Sequence, residues 1–244
     1  MTNKKYDVVA LGELLIDFTE NGLSEQGNPL LEANPGGAPC NVLSMLQKLG
    51  DKTAFIGKVG NDGFGHLLTK AVQEQGIDTT GLVYDNDVHT TLALVLKKEN
   101  GDRDFAFYRN PGADMNLKEK EVNESLIASS SIFHFGTLSL TDESVKKATQ
   151  KAVKVAKENG LTITFDPNLR EPLWRSLEEA HEQVAWGLQQ ADVVKISDNE
   201  ITWFTGMDNY DEGIAFLQKE YPNLKLICLS MGGDGSKAVY RDIH

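Results

Sequence analysis

The chain contains 244 residues, of which 40% are hydrophobic and 25% charged, a composition typical of one globular domain with or without a small appendage. Its formal net charge is −12, and without a clustered run of Lys and Arg this charge excludes nucleic acid and anionic membranes as partners. No apolar stretch approaches the roughly 20 residues that span a bilayer. The polar start from Met1 to Asp7 is unlike a signal sequence, so we expect a cytoplasmic protein.

Apolar runs of strand length alternate with helical periodicity along the chain, which predicts a parallel sheet with helical crossovers. The first strand is predicted at Asp7 to Leu11, and the next strand at Thr53 to Val59. Between them lies a helix that ends at Gly50. Its apolar stripe consists of Val42, Met45, Leu46 and Leu49.

The later part of the chain repeats this rhythm. Short β-type runs occur at Ser131 to Phe135, Leu161 to Phe165, Val193 to Ile196 and Leu226 to Leu229, and segments of helical period separate them. Crossovers of this length place helices on both faces of a sheet, so the predicted fold is a doubly wound, three-layer α/β/α domain with a mainly parallel sheet. In such folds ligands bind at the carboxyl ends of the strands.

Two segments depart from this rhythm and predict a small antiparallel β sheet. In Thr90 to Arg109 the residues Leu92, Leu94 and Leu96 alternate, Asn100-Gly101 supplies a hairpin turn, and Phe105 and Phe107 alternate on the return strand. The other candidate is Leu14 to Asn34. Together the segments at about 14–34 and 88–112 form an expected lid over the main domain. Surface hairpins without a gating role explain the same pattern equally well.

Polar residues at the ends of predicted strands are candidates for binding a polyhydroxylated ligand. Gly36 and Gly37 allow close backbone approach just before the first long helix, and Asn41 adds an amide that both donates and accepts. Asp17 follows the first strand and is able to accept hydrogen bonds from hydroxyl groups. A tight turn into the helix and a capping or solvated acid are the alternatives.

Two arginines are candidates for holding the substrate. Arg109 follows Phe105 and Phe107 at two-residue spacing, so its guanidinium is expected beside aromatic rings at the end of the lid hairpin. Arg170 ends the run Asp166-Pro167-Asn168-Leu169-Arg170 after an apolar strand. A local ion pair between Arg170 and Asp166 is the alternative.

Two later segments predict nucleotide handling. Lys195 to Glu200 follows a buried strand, and Glu200 is a candidate to orient hydrated Mg²⁺, although acids also favour helix N-termini. Ser230 to Gly235 follows the last strand, where glycines allow a phosphate or ribose to lie on the backbone, and a plain hairpin turn is the alternative. The chain has neither a Gly-x-x-x-x-Gly-Lys-Ser/Thr loop nor a Gly-x-Gly-x-x-Gly fingerprint, which excludes the simplest P-loop and dinucleotide sites.

Taken together, the motifs resemble those of the ribokinase-like (PfkB) carbohydrate kinases, most closely the fructokinases. In order and spacing they cover nearly the whole chain: Gly12 to Asp17, Gly36 to Val42, Gly57 to Gly65, Asp166 to Arg170 and Lys195 to Glu200. The resemblance implies an enzyme that uses ATP and Mg²⁺ to phosphorylate a small sugar. The predicted product is fructose 6-phosphate, formed at a primary hydroxyl of fructose.

The resemblance also implies residue roles. The sugar is expected to bind to Asp17, Gly36, Gly37, Asn41, Arg109 and Arg170, with Arg170 also positioning the transferring phosphate. The nucleotide is expected near Asn168, Lys195, Ser197, Ser230, Gly232 and Gly235. Glu200 matches the acid of an Asn-x-x-Glu element near Mg²⁺, although Ser197 stands where the Asn is usual.

One departure from the family pattern concerns the catalytic base. Members continue past the strand Ser236 to Tyr240 into a Gly-Ala-Gly-Asp motif, which does not occur in these 244 residues. Residues 1–244 are therefore expected to form an incomplete kinase domain with little turnover alone. The alternatives are a 2-keto-3-deoxygluconate kinase, a ribokinase or a non-catalytic sugar-binding module, and a homodimer through the lid is a further expectation.

Overall fold

The computed structural model describes residues 4–97 and 103–240. The strands are β1 (Tyr6–Leu11), β2 (Leu15–Leu23), β3 (Pro29–Gly36), β4 (Thr53–Gly60), β5 (Asp78–Asp85), β6 (Leu92–Lys97), β7 (Arg103–Tyr108), β8 (Ser130–Gly136), β9 (Thr162–Asp166), β10 (Val193–Ser197), β11 (Leu226–Ser230) and β12 (Ser236–Tyr240). The helices are α1 (Ala38–Leu49), α2 (Gly63–Glu74), α3 (Glu124–Ala128), α4 (Glu143–Glu158), α5 (Leu177–Gln190), α6 (Asp198–Thr205) and α7 (Tyr210–Glu220). The turn expected at Asn100-Gly101 lies outside the described residues.

Eight strands form the main sheet, in the order β12-β11-β10-β9-β8-β1-β4-β5. All neighbours in it are parallel except β12, which pairs antiparallel with β11. The chain therefore winds outward from β1 in one direction and from β8 in the other. The crevice outside the carboxyl ends of β1 and β8 is the switch point at which such folds bind ligands. The predicted mainly parallel, doubly wound sheet is confirmed.

Helices cover the two faces of this sheet unequally. Alternate residues of β1 enter two separate cores: Val9 and Leu11 pack with α4, whereas Val8 and Ala10 pack with α1 and α2. In β10 and β11 only every second residue is buried, as for Val194 within the sequence Val193–Ser197. Helices thus cover the main sheet on both faces at β1 and on one face near β12. Within the described residues, no helix has the length and apolar character that a bilayer crossing requires.

The apolar stripe predicted for α1 lies mostly at the surface. Val42, Met45 and Leu49 are 36%, 57% and 73% exposed, whereas Leu43 is fully buried against the sheet. Adjacent helical residues point about 100° apart, so a helix that buries Leu43 through close contact turns much of this stripe outward. Periodicity located the helix correctly and misjudged which side faces the core.

Four strands form a second, small sheet in the order β3-β2-β6-β7. The two hairpins predicted from sequence are both antiparallel, and parallel pairing of β2 with β6 joins them into one sheet. Phe18 of β2 contacts Phe64 of α2 edge to face at 5.6 Å between ring centroids. The small sheet therefore lies directly beside the main domain.

The glycine-rich run 60–65 anchors this small sheet. The Asp62 carboxylate accepts hydrogen bonds from Gly65 N at the start of α2 and from Thr90 N, both at 2.8 Å. A Cβ atom at Gly65 would lie 1.9 Å from the Gly60 carbonyl oxygen, so this close approach requires glycine. Burial opposes ionisation, but these hydrogen bonds hold the pKa of Asp62 below its usual value. The run thus fixes the entry to β6.

Candidate active site

A polar cleft of about 330 Å³ opens where the small sheet meets the carboxyl ends of β1 and β9. Its polar walls are Glu13, Asp17, Asn41, Asp166, Asn168 and Arg170, and Leu15, Phe107 and Leu138 add apolar surface. This is the location that the strand order favours for a ligand. Asp17, Gly37, Asn41 and Arg170, all predicted from sequence, are brought together here although up to 153 positions of the printed sequence separate them.

Asp17 lies on β2 and faces this cleft. Its carboxylate packs directly on Gly36 of the neighbouring strand, because a Cβ atom at Gly36 would lie 2.1 Å from Asp17 Oδ2. Burial raises the pKa of Asp17, and the positive charge of Arg170 acts in the opposite direction. Asp17 and Arg170 thus form opposed charges on two walls of the same cleft.

Helix α1 begins at the cleft floor. Gly37 is its N-cap with φ of 124°, a conformation that favours glycine, and Asn41 lies one turn later on the cleft wall. Gly37 offers no capping side chain, and the Ala38 N–H donates instead to Glu13 Oε1 at 2.7 Å. The helix N-terminus therefore faces the cleft and is favourable for groups that accept hydrogen bonds.

Glu13 was quoted within a family motif but given no role by the sequence. Its side chain is 4% exposed and lines the cleft. Burial raises the pKa of Glu13 to about 7, although the N–H groups of Glu13 and Ala38 favour the charged form. An acid one residue past the first strand was the available signal. Leu138 carried no comparable signal because it lies in a short 3₁₀ helix, Leu138–Leu140, after β8.

Arg170 is set by a turn that follows β9. Asn168 has φ of 42°, rare for a residue other than glycine, and its N–H donates to Asp166 Oδ1 at 3.1 Å. The Arg170 guanidinium donates to the Leu169 carbonyl at 3.0 Å through Nη1. Asn168, expected near the nucleotide, lies on the wall of the polar cleft beside Arg170. Its nucleotide contact stays a prediction.

Lys195 bridges this turn to the next strand. Its Nζ lies 3.3 Å from Asp166 Oδ2, so this aspartate forms an ion pair with Lys195. Burial raises the pKa of Asp166, Lys195 lowers it, and the nearby Glu200 carboxylate raises it. The carboxyl ends of β9 and β10 therefore hold two acids and one lysine side by side.

Glu200 acts locally as a helix cap. Its Oε2 accepts from Ser197 N at 2.8 Å, Ser197 Oγ accepts from Glu200 N at 3.3 Å, and Oε1 accepts from Leu169 N at 2.8 Å. This is a capping box at the start of α6; the sequence alternative of an acid at a helix N-terminus describes this position, although it did not predict the reciprocal hydrogen bonds. Among residues 4–97 and 103–240 no group of three or more His, Cys, Asp or Glu side chains is placed to hold a metal ion. A contact between Glu200 and Mg²⁺ stays a prediction.

The remaining nucleotide candidates lie along the same edge of the sheet. Ser197, Ser230 and Ser236 are register partners at the ends of β10, β11 and β12. Gly232 and Gly235 have φ of 53° and 92° in the turn that connects β11 to β12. The turn is a hairpin, the alternative stated for this segment from the sequence. Ser197, Ser230 and this turn, called the serine-lined shelf below, lie at the same edge of the main sheet as the carboxyl end of β9.

Arg109 lies one residue past β7 and is not among the residues that line the polar cleft. The residue is only 6% exposed. It lines a neighbouring cavity of about 450 Å³ together with Trp174 and Arg175, with Phe107 shared between the two cavities. Its guanidinium is bonded to Asp114, Thr141 and Leu138. A direct contact between Arg109 and a sugar stays a prediction.

A methyl group at Gly36 tests the arrangement of Asp17. We expect Gly36→Ala to displace the Asp17 carboxylate, because the added Cβ would also lie 2.8 Å from Asp17 Cγ. The displacement should weaken sugar binding at least roughly tenfold, which corresponds to the loss of one hydrogen bond to a charged group. Gly63→Ala is the matched control, since nothing lies within 4 Å of its added Cβ. Calorimetric titration measures both. Equal affinity in both variants would contradict the proposed packing of Asp17 on Gly36.

Comparisons with known proteins identify the family to which this chain is similar. A family model described as pfkB family carbohydrate kinase matches residues 5–242. The chain is 43% identical over 240 residues to Probable fructokinase-2 of Arabidopsis thaliana, covering 97% of this chain and 72% of that protein. The crystal structure of fructokinase from Xylella fastidiosa matches with a TM-score of 0.89 at 29% identity, covering 97% of this chain and 73% of that one.

A third similar protein was crystallised with ligands. Vibrio cholerae O395 fructokinase, in its fructose-, ADP- and calcium-bound form, matches with a TM-score of 0.87 at 29% identity, over 98% of this chain and 75% of that one. The family match extends over nearly all of the chain and includes every motif that lines the polar cleft. The chain belongs to the pfkB family of carbohydrate kinases.

Proposed function

We propose that this carbohydrate kinase transfers the γ-phosphoryl group of ATP to the primary hydroxyl of fructose that yields fructose 6-phosphate. The observation that carries the proposal is the polar cleft at the switch point of the sheet, where Asp17, Asn41 and Arg170 converge. Support also comes from the fructokinases to which the chain is similar. The cleft binds the sugar, and the serine-lined shelf beside it binds the nucleotide.

Each group has a definite task in this scheme. Asp17 and Asn41 hold sugar hydroxyls, and Gly36 and Gly37 let the ring approach the backbone. Arg170 fixes the sugar and neutralises charge on the transferring phosphate. Phosphoryl transfer depends mainly on such positioning and charge stabilisation, so these contacts account for the binding half of catalysis.

The nucleotide is proposed to lie along the ends of β10 and β11. Lys195, Ser197 and Ser230 supply a cation and hydroxyls, and the turn at Gly232 and Gly235 supplies close backbone approach. The Vibrio fructokinase crystallised with ADP supports nucleotide use at a comparable fold. A non-catalytic sugar-binding module would not need this second shelf.

Magnesium is proposed to arrive with the nucleotide. Mg²⁺ keeps several waters and takes few protein carboxylates, and this fits Glu200, whose two oxygens already accept backbone hydrogen bonds. Glu200 would contact the hydrated ion and Asp166 would lie nearby. Bound there, the ion would neutralise charge on the phosphates.

The charge of the cleft favours a neutral sugar over a sugar acid. Among the described residues Glu13, Asp17 and Asp166 line it, and the positive charges nearby are Arg170 in the cleft and Lys195, which pairs with Asp166. The carboxylate of 2-keto-3-deoxygluconate would meet this excess of acids, and like charges in a partly buried site repel. Ribose is neutral like fructose, so the charge of the cleft does not distinguish the two sugars, and their measured affinities must do so.

Calorimetric titration tests the proposal on this chain directly. We expect fructose to bind more tightly than ribose or 2-keto-3-deoxygluconate, and Mg-ATP to bind in a separate titration. Binding of the sugar without the nucleotide would favour the non-catalytic module. Preference for the sugar acid would overturn the choice of fructose.

The small sheet is proposed to act as a lid and as a dimer interface. Leu23, Leu30, Leu31 and Tyr108 of this sheet expose between 46% and 67% of their surface, and exposed apolar side chains favour association. Sedimentation of the chain and of a Leu31→Glu variant tests the dimer: a wild-type monomer contradicts it.

A cytoplasmic location is also proposed, since Cys40 and Cys228 form no disulfide, and cell fractionation tests it.

A further inference from the structure

Glu13 joins three parts of the molecule. It follows β1, lines the polar cleft, and accepts a hydrogen bond from the first residue of α1 through Oε1 at 2.7 Å. It therefore provides the helix cap that Gly37 lacks. A capping acid needs only one oxygen for this purpose.

The rest of this carboxylate has little compensation. Within residues 4–97 and 103–240 the groups that favour its charged form are the backbone N–H groups of Glu13 and Ala38 and, more weakly, the charge of Arg109. The residue is only 4% exposed. A buried carboxylate with few donors is unfavourable in its charged form. This imbalance is the reason that burial raises the pKa of Glu13 to about 7.

The charged groups around Glu13 come from several elements. Asp114 favours its neutral form and Arg109 its charged form, in that order of influence, and both are weaker than burial. On α1 the Cys40 thiol lies near it, with a pKa well above its usual value because of burial and the Glu13 charge. Asp17, Asp166 and Arg170 share the same cleft.

We propose that Glu13 is a sugar-binding residue whose second carboxylate oxygen, Oε2, accepts a hydrogen bond from a hydroxyl of the bound sugar. This inference rests on the proposed sugar kinase function and assigns a further contact within it. The ligand adds a donor to a buried carboxylate whose charge two backbone N–H groups do not fully offset. Because a hydroxyl donor favours the carboxylate over the acid, sugar binding releases a proton when Glu13 is protonated beforehand.

The direction of the pH effect follows from the free protein. Below pH 7 Glu13 is largely protonated and must lose its proton for the sugar to bind, so affinity falls as the pH decreases. Above pH 7 the carboxylate is already present and affinity reaches a plateau. If the sugar lowers the pKa of Glu13 by about one unit, affinity changes up to about tenfold across this range.

Calorimetry at pH 6 and 8 tests this coupling, with fructose as the probe and two buffers of different ionisation enthalpy. We expect wild-type affinity to rise several-fold, up to about tenfold, with proton release at pH 6. Glu13→Gln keeps an oxygen for the Ala38 N–H but does not titrate, so its affinity should be lower at pH 8 and independent of pH. Its melting temperature shows whether the helix cap is retained.

Each result bears on the inference. Wild-type binding without pH dependence or proton release overturns the role of Glu13 and leaves the proposed function intact. Equal pH dependence in Glu13→Gln also overturns it, because another group, with Asp17 the first candidate, then carries the proton. A purely structural role predicts a lower melting temperature for Glu13→Gln with unchanged fructose affinity. Absence of fructose binding at every pH overturns both the inference and the proposed function.

Discussion

Replacing Asp17 by alanine is expected to weaken fructose binding about a hundredfold or more. Asp17 is half-buried in the cleft and packed on Gly36, so its oxygens are held toward a ligand. A hydrogen bond to a charged group contributes about 1.5–3 kcal/mol, and two hydroxyls bound to one carboxylate contribute about twice that. Isothermal titration of the variant with fructose measures the loss.

Two further variants separate charge from shape. Asp17→Asn keeps the size of the side chain and should bind fructose with intermediate affinity. Glu20→Ala removes an exposed acid from the same strand and should leave affinity within about twofold, since it lies away from the cleft. An Asp17→Ala protein that binds fructose as tightly as wild type would remove Asp17 from the sugar site and with it the central observation behind the proposed function.

Strand positions and the place of the site were accessible from sequence because both follow from burial. Strands covered on both faces are predominantly apolar, as in Thr53–Gly60, in which all eight residues are buried and the one charged residue, Lys58, is paired with Glu121. Once those runs are recognised as parallel, their carboxyl ends define where ligands bind. Asp17, Asn41 and Arg170 were selected by this rule and by motif resemblance, and the fold brings them to one cleft.

Contacts between a side chain and a distant backbone were not accessible in this way. Glu13 bonds to Ala38, 25 residues later, and no periodicity links the two positions. Glu200 is the contrasting example: its partner Ser197 is three residues away, so the capping box is written in the local sequence. Arg109 shares a cavity with Phe107, in keeping with their two-residue spacing, but no local pattern indicated its bond to Thr141, 32 residues later.

Replacing Arg109 by methionine is expected to destabilise the protein by about 3–5 kcal/mol, the range for breaking a buried ion pair. Arg109 Nη2 lies 2.6 Å from Asp114 Oδ2, and both side chains are at most 3% exposed. Asp114 also accepts a hydrogen bond from Thr91, the residue before β6. The variant leaves a charged carboxylate without its main partner at the point where both ends of the second hairpin enter the main domain. Urea unfolding measures the change.

Controls distinguish the buried pair from ordinary surface charge and from a sugar contact. Lys154→Met removes an exposed partner of Glu158 at 3.9 Å and should change stability by less than about 0.5 kcal/mol. Adding Asp114→Asn to Arg109→Met should restore part of the lost stability, because the unpaired charge is then gone. Unchanged urea stability in Arg109→Met would contradict the buried pair. The small sheet that carries Phe107 is anchored through the same residues. If the folded variant also loses more than about tenfold in fructose affinity, or about 1.4 kcal/mol, Arg109 additionally supports the sugar site.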